Sequence, residues 1–260
     1  VSFPWTMIDK ITPRPDPSVL EILKNDGAED MEPIITSKNT YTAPFVNSEE
    51  FGCLVIEDSF PNGRPELEKG GFIFTDRETV NKAEKMKVCT CLNPLHTALS
   101  IFGCLLGYTL ISDEMKDPAL KKLVEGIGRI EGLPDTPQRI ATDTSQKLAV
   151  RFGETIKAYL RMDGAKVKRL KFIPLVFAGW LRYLTGIDDH GNEFSLSPDP
   201  MLGALCPIVK SVKPGDIERT KQILKPILSN AALWGVDLIE IGVSDTVCGY
   251  FESMLSGPGA

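Results

Sequence analysis

Hydrophobic and polar positions follow two different patterns along the chain. Over the first 75 residues prolines interrupt short apolar segments. Ser18–Lys24 predicts a helix with Ser18 as its N-cap, and Gly52–Glu57 predicts a strand. We therefore expect residues 1–75 to form an irregular, proline-rich arm with a few short strands.

From residue 76 onward the apolar positions take the spacing of helices. Pro94–Met115 is apolar on nearly every side, so this helix is expected to be buried. The predicted fold class is mainly α, with residues 76–260 forming one multi-helix domain and Ile187–Pro200 a loop. Cap and proline signals predict its other helices over Thr79–Cys91, from Pro118, over Pro137–Phe152, Glu154–Met162, Lys168–Leu184, Asp216–Ser229 and Asp237–Leu255.

Composition excludes several classes of protein. The 260 residues carry 29 basic and 35 acidic side chains, a net charge of −6 without a basic block, which disfavours a nucleic-acid-binding module. The longest apolar run, Ala98–Leu110, is shorter than the roughly 20 residues of a membrane span. Six cysteines are spread thinly, as in proteins with reduced thiols, and no signal peptide is visible. We expect a cytoplasmic protein without nucleic-acid or membrane partners.

Reactive side chains concentrate where one predicted helix ends and the next begins. Asn93 and His96 are three residues apart, so they share a face of the helix that starts there with Asn93 as its N-cap. Pro94 interrupts the helical hydrogen bonds, and across this break Lys87 can converge on the same cleft. A catalytic group and a buried helix with one satisfied histidine are the two interpretations of this segment.

A zinc site is not favoured at the same place. Cys89 and Cys91 are two residues apart, which points their sulfurs to different faces of a helix. The sequence has no second cysteine pair with the spacing of a zinc site. We therefore predict no metal.

A second charged group lies on the helix predicted after Pro137. Arg139, Asp143 and Lys147 are spaced four residues apart and share one face. They form either an exposed stripe of ion pairs or the cationic wall of a cleft in which Asp143 orients the two basic side chains.

Ordered motifs lie at Met7–Pro13, Ile56–Pro65, Leu92–Leu99, Arg139–Lys147 and Arg182–Gly186. Together they resemble the C-terminal domain of the long-chain mannitol dehydrogenase family, which includes mannitol 2-dehydrogenase, fructuronate reductase and tagaturonate reductase. The resemblance covers most of the chain. The resemblance implies an NAD- or NADP-dependent, metal-independent enzyme that interconverts a secondary alcohol and a ketone on a small sugar derivative.

The resemblance also implies roles for residues near the helix break. Lys87 would be the general acid/base, Asn93 would stabilise the developing alkoxide and His96 would bind an adjacent hydroxyl. Glu84 would gate proton exchange with solvent. The spacing from Lys87 to Asn93 is six residues where the family has five, so Lys85 is the alternative acid/base.

Three further residues are implied to bind the substrate. Arg139 and Lys147 would contact its distal hydroxyls or carboxylate, and Asp9 belongs to the same set. Two basic groups suit a carboxylate, which favours fructuronate and mannonate over fructose and mannitol, but they also suit hydroxyls. Both substrate classes stay open, as do the choice between NAD and NADP and the oligomeric state.

Two absences qualify the resemblance. Family members have about 20 more residues near Asp135, so a stretch is either deleted or missing there. No glycine-rich strand–helix loop occurs, so we expect the nucleotide-binding α/β domain to lie upstream of this chain. Without the family, the same sequence fits a non-catalytic helical interaction or regulatory domain, and convergence of the polar side chains discriminates between the two.

Overall fold

The computed structural model describes residues 1–9, 15–38, 40–47, 53–85, 92–127, 144–162 and 164–257. The chain divides into two compact units, Val1–Lys85 and Met86–Ala260. Within the described ranges, no helix has both the length and the apolar character that crossing a membrane requires.

The first unit is built on a small mixed sheet. Its strands are β1 Thr6–Asp9, β2 Ile34–Ile35, β3 Tyr41–Thr42, β4 Cys53–Glu57 and β5 Ile73–Thr75. The sheet has the order β1-β4-β5, with β4 antiparallel to β1 and parallel to β5. Strands β2 and β3 form a separate antiparallel pair.

Two helices belong to the first unit, α1 (Pro17–Asn25) and α2 (Arg77–Glu84), along with a 3₁₀ turn at Leu67–Gly70. Helix α2 packs on β1 and β4 and buries Val80 completely. The contacts of α2 therefore assign it to the first unit, and a functional boundary at residue 75 stays a prediction.

The predicted start of each of these helices is shifted. Asp16, not Ser18, is the N-cap of α1, because its carboxylate accepts the Ser18 backbone N–H at 2.8 Å. Asp76 caps α2 by accepting the Thr79 N–H at 2.9 Å, so that helix begins before Thr79. The rest of the predicted helix to Cys91 lies outside the described residues.

The second unit is helical, which confirms the expected fold class. A π-helical turn, Ala149–Gly153, joins α6 to α7. The helices are α3 Asn93–Leu105, α4 Ile111–Glu114, α5 Pro118–Ile127, α6 Thr144–Leu148, α7 Glu154–Met162, α8 Gly164–Val167, α9 Phe172–Tyr183, α10 Leu202–Lys210, α11 Ile217–Leu228, α12 Ala231–Trp234 and α13 Ser244–Leu255.

Helix α9 lies at the centre of this unit, packed against α3 and α13. Its aromatic side chains meet Trp234 of α12, with ring centroids 4.5 Å apart for Phe177 and 5.5 Å apart for Trp180. Tilted and edge-on aromatic contacts of this kind add to the stabilisation from burial. The centre of the unit therefore fixes the position of α3, which carries Asn93 and His96.

The expected helix over Pro94–Met115 is wrong in its second half. Helix α3 ends at Leu105 because Gly107 takes a left-handed φ of 77°. The Tyr108 N–H then bonds the Gly103 carbonyl at 2.8 Å, which is the geometry of a Schellman C-cap. The chain turns there and forms the short helix α4.

Two other predicted boundaries also move. Helix α9 begins at Phe172 and not at Lys168, although Gly186, with φ of 70°, ends the helical region as predicted. The last helix begins at Ser244 because the Asp237 carboxylate accepts the Ile239 N–H at 2.8 Å and caps a separate turn. The predicted loop contains a bridge between Ile187 and Glu193.

Candidate active site

The first turn of α3 carries the two polar residues that the sequence singles out. Leu92 already has helical angles, φ −87° and ψ −62°, so Asn93 is the first residue of the helix and not its N-cap. Pro94 is tolerated here because the first turn of a helix needs no N–H donor. Asn93 is half-buried and His96 is 8% exposed, and their spacing puts both on one side of α3.

A buried hydroxyl supports this turn from within. Thr97 is fully buried, and its Oγ1 donates to the Asn93 carbonyl oxygen at 2.9 Å. The same Oγ1 accepts a hydrogen bond from Nη1 of Arg151, which lies in the π-helical turn. The start of α3 is therefore joined by side chains to the segment that follows α6.

Helix α6 carries Lys147, and a distant carboxylate holds its beginning. The Asp199 carboxylate accepts hydrogen bonds from the backbone N–H of Ser145 at 2.7 Å and from the Ser145 hydroxyl at 2.5 Å. The same carboxylate accepts the Met201 N–H at 2.9 Å. A carboxylate on the free N–H groups of a helix start is a stabilising cap. Asp199 therefore fixes the orientation of the short helix on which Lys147 lies.

Lys147 and Arg151 share one side of this segment because they are four residues apart in continuous helical backbone. Arg151 meets α3 at Thr97, and Lys147 is half-buried. The bond between Arg151 and Thr97 thus links this segment to the start of α3, and the convergence of Asn93, His96 and Lys147 stays a prediction.

The remaining predicted site residues lie either outside the described residues or in the first unit. Lys87 and Arg139 lie outside the described residues, as does Asp143. Glu84 ends α2 and is exposed, as is the alternative acid/base Lys85, and both belong to the first unit. Asp9 is the last residue of β1, where its backbone pairs with Cys53. Their roles stay predictions.

Gly103, a small residue further along α3, packs against a side chain of the same unit. A Cβ added to Gly103 would lie 2.0 Å from Oε1 of Glu114 on α4. Glu114 is fully buried, and neither carboxylate oxygen has a hydrogen-bond partner in the described structure. Burial raises the pKa of Glu114 to about 8. Sequence reasoning missed this residue, because nothing in the local pattern marks it as buried.

The cysteines described in the second unit, Cys104, Cys206 and Cys248, are free thiols. Burial raises the pKa of Cys104 and of Cys248 to about 12, so neither is a thiolate at neutral pH. Among the described residues, no three or more His, Cys, Asp or Glu side chains are grouped as metal ligands.

A separate cavity of about 810 Å³ lies in the second unit between the 185–196 loop, α10 and the end of α13. Arg182 on its wall donates to the Met254 carbonyl at 3.2 Å, the Asp188 carbonyl at 3.0 Å and Thr185 Oγ1 at 2.8 Å. These bonds tie the loop to the helices around it. None of the predicted site residues within the described ranges lines this cavity.

Comparison with known proteins gives consistent relatives. No family model matches the chain. D-mannonate oxidoreductase of Thermotoga maritima is 55% identical over 290 positions, covering all of this chain and 54% of that protein. D-mannonate oxidoreductase of Escherichia coli is 31% identical over 229 positions, covering 78% of this chain and 43% of the relative. Mannitol 2-dehydrogenase of Pyrenophora tritici-repentis is 32% identical, with 78% and 38% covered.

The solved mannitol 2-dehydrogenase of Pseudomonas fluorescens, in ternary complex with NAD and D-mannitol, has a similar fold. Its TM-score is 0.63 at 26% identity, and the match covers 98% of this chain and 51% of that one. The chain thus spans about half the length of the relatives it matches. The 290 aligned positions of the Thermotoga relative exceed the 260 residues of the chain by 30, so gaps of that total length fall within this chain. On these similarities, the chain belongs to the long-chain mannitol dehydrogenase family.

Proposed function

We propose that this chain is the substrate-binding half of an NAD- or NADP-dependent dehydrogenase that interconverts a ketohexuronate or ketohexose and its aldonate or polyol. The observation that carries the proposal is the side-chain link between the start of α3 and Arg151, one turn past Lys147, in a chain 55% identical to a D-mannonate oxidoreductase. A non-catalytic helical module is the alternative, and it gives no reason for the 55% identity to an oxidoreductase.

The chemistry is the one that the family resemblance implies for these residues. A nicotinamide, when bound, would accept the hydride from the carbon of the secondary alcohol. Lys87 takes the hydroxyl proton, the Asn93 amide donates to the developing alkoxide, and His96 binds the neighbouring hydroxyl. A lysine serves as a base near neutral pH once burial and nearby cations lower its pKa.

Lys147 and Arg139 give the proposal its substrate preference. Two cations that contact the distal end of the substrate would match a carboxylate better than a hydroxyl, because a bond between two charged groups is stronger than one to a neutral group. Two of the relatives are named D-mannonate oxidoreductase, and mannonate is an aldonate. We therefore propose D-mannonate and fructuronate as the preferred pair, with mannitol and fructose as the second candidate.

The cofactor site is proposed to lie in a nucleotide-binding domain upstream of this chain, because the chain spans about half of its relatives. The first unit supports this placement, since it exposes apolar side chains of a kind that another surface normally covers. Phe3 is 82% exposed, Trp5 48% and Ile8 64%. The ternary complex of the Pseudomonas enzyme favours NAD over NADP.

A substrate screen of the protein with its upstream region restored tests the proposal. We expect the highest kcat/KM on D-mannonate with NAD, lower values on D-mannitol, and no turnover by the 260-residue chain alone. The variant Lys147→Met should raise the KM for D-mannonate about tenfold and leave the KM for D-mannitol within threefold, because only the aldonate loses an ion pair. Failure to oxidise any aldonate or polyol would overturn the proposal, and turnover by the isolated chain would overturn the two-domain assignment.

A further inference from the structure

Arg151 is a cation that has no role in the proposed reaction as described so far. It lies in the π-helical turn Ala149–Gly153, one turn past Lys147, and it is half-buried. Its Nη1 donates to Oγ1 of Thr97 on α3. π-helical turns within α-helices occur frequently at functional sites, where they redirect a side chain.

The hydrogen bond from Arg151 continues to the backbone of a candidate catalytic residue. Thr97 is 0% exposed, and its hydroxyl donates a hydrogen bond to the Asn93 carbonyl oxygen at 2.9 Å. Arg151 donates, Thr97 accepts and donates, and Asn93 accepts, so the three groups form one directional chain. A donor that is charged polarises the hydroxyl and strengthens the second bond.

The π-helical turn, from which Arg151 extends, is held in place by close backbone packing. A Cβ on Gly153 would lie 2.5 Å from the Trp234 carbonyl oxygen and 2.9 Å from the Cα of Gly235. Gly235 itself has a φ of 84° and follows α12. The π-helical turn is therefore seated on the end of α12, and Arg151 extends from a rigid base.

We propose that Arg151 is a positioning residue that, through Thr97, sets the orientation of the first turn of α3. It thereby fixes the Asn93 amide and the His96 ring relative to the side of α6 that bears Lys147. The proposal rests on the proposed function, because Asn93 is its point of action on the reacting alcohol. When this donor is displaced from the developing alkoxide, the transition state is stabilised less, while the ground-state contacts of the substrate persist.

The test is steady-state kinetics of the full-length enzyme with D-mannonate and NAD. Thr97→Val removes the hydroxyl and keeps the shape, and Arg151→Met removes the cation and keeps the length of the side chain. Each should lower kcat about tenfold and leave the KM for D-mannonate within threefold, as expected when donor geometry and not substrate binding is disturbed. Thr97→Ser should keep kcat within twofold of the wild type, because the hydroxyl is retained.

A double variant tests whether the two residues act as one unit. Arg151→Met combined with Thr97→Val should lose no more than the more severe single variant, since both break the same chain. Arg161→Met is the matched control, because Arg161 is an exposed arginine at the end of α7. This control should leave kcat unchanged. Thermal unfolding of every variant shows whether a loss of kcat comes from loss of folded protein.

Three results would overturn the proposal: kcat within twofold in both Thr97→Val and Arg151→Met, losses that multiply in the double variant, or a Thr97→Ser variant as impaired as Thr97→Val. If Arg151→Met does not fold, the Thr97 pair alone decides by the same criteria. A wild-type enzyme inactive on every aldonate and polyol would instead refute the proposed function, so the two failures are distinguishable.

Discussion

At the scale of single residues, the chemistry of Glu114 differs strongly from that of the free amino acid. Its carboxyl group is packed against the backbone of α3 at Gly103 and is fully buried. No hydrogen bond compensates the loss of water within the described structure. Such burial penalises the charged form, which is why the pKa is raised to about 8.

The raised pKa predicts a pH-dependent stability. Because the folded pKa lies above the ordinary value of 4.5, the neutral acid favours folding at low pH. This contribution is lost as the pH rises from about 4.5 through about 8. Glu114→Gln removes the titration and keeps the shape. The free energy of unfolding of this variant, relative to that of the wild type, should increase as the pH rises across that window, by at most about 1.4 kcal/mol per pH unit.

Urea unfolding at several pH values measures this difference, followed by the fluorescence of Trp180 and Trp234 in the core of the second unit. If the free energies of the variant and the wild type stayed parallel from pH 4.5 to pH 8, Glu114 would not be the titrating group. The expected result would also identify a buried acid that the proposed reaction does not require.

Residue chemistry could be predicted where the sequence itself makes a polar group conspicuous. Asn93 and His96 stand in an apolar helix beside a proline, and the structure places them on one side of its first turn. Glu114 could not be found in this way, because its burial depends on another helix, where Gly103 has no side chain and leaves room for the carboxyl group. The link between Thr97 and Arg151 is also invisible in the sequence, since it joins two elements through tertiary packing.

At the scale of elements, the π-helical turn and α12 depend on one close backbone contact. Gly153 and Gly235 approach so closely that a Cβ on either would lie 2.9 Å from the Cα of the other. No rotamer change relieves such a clash, because the obstructing atoms are backbone. Any side chain at Gly153 must push the two elements apart.

Gly153→Ala should therefore destabilise the second unit by about 1–3 kcal/mol, the usual cost of overpacking. Gly249→Ala is the matched control within α13, where the new methyl group meets no atom within 4 Å. It should instead stabilise by about 1 kcal/mol, because alanine favours the helix over glycine. Thermal unfolding of the two variants provides the measurement, and equal shifts in Tm would contradict the contact.

Elements with local start and stop signals could be predicted, and elements held by distant partners could not. Helices α5 and α11 begin at the proline and aspartate signals that mark them. Helix α10 escaped prediction because Pro207 stands inside it, and its stability comes from Leu205 and Val209 in the core. Strand β1 depends on pairing with β4, which is remote in the sequence.

At the scale of the whole molecule, the chain corresponds to about half of each relative, and its second unit carries the candidate substrate site. The mainly helical fold, confirmed by the structure, and the family, confirmed by the relatives, could both be inferred from ordered motifs spread over the chain. The preferred substrate and the cofactor are proposals, because the chain spans only about half the length of the relatives it matches.

The most direct test of the account is the kinetics of Lys87→Ala in the full-length enzyme, with Lys85→Ala as its neighbouring control. We predict that Lys87→Ala lowers kcat by at least about a hundredfold, the lower limit for loss of a general acid/base, while NAD binding measured by titration stays nearly intact. Lys85→Ala should be mild. A kcat of Lys87→Ala within threefold of the wild type would contradict the account, and a severe loss in Lys85→Ala alone would transfer the role to Lys85.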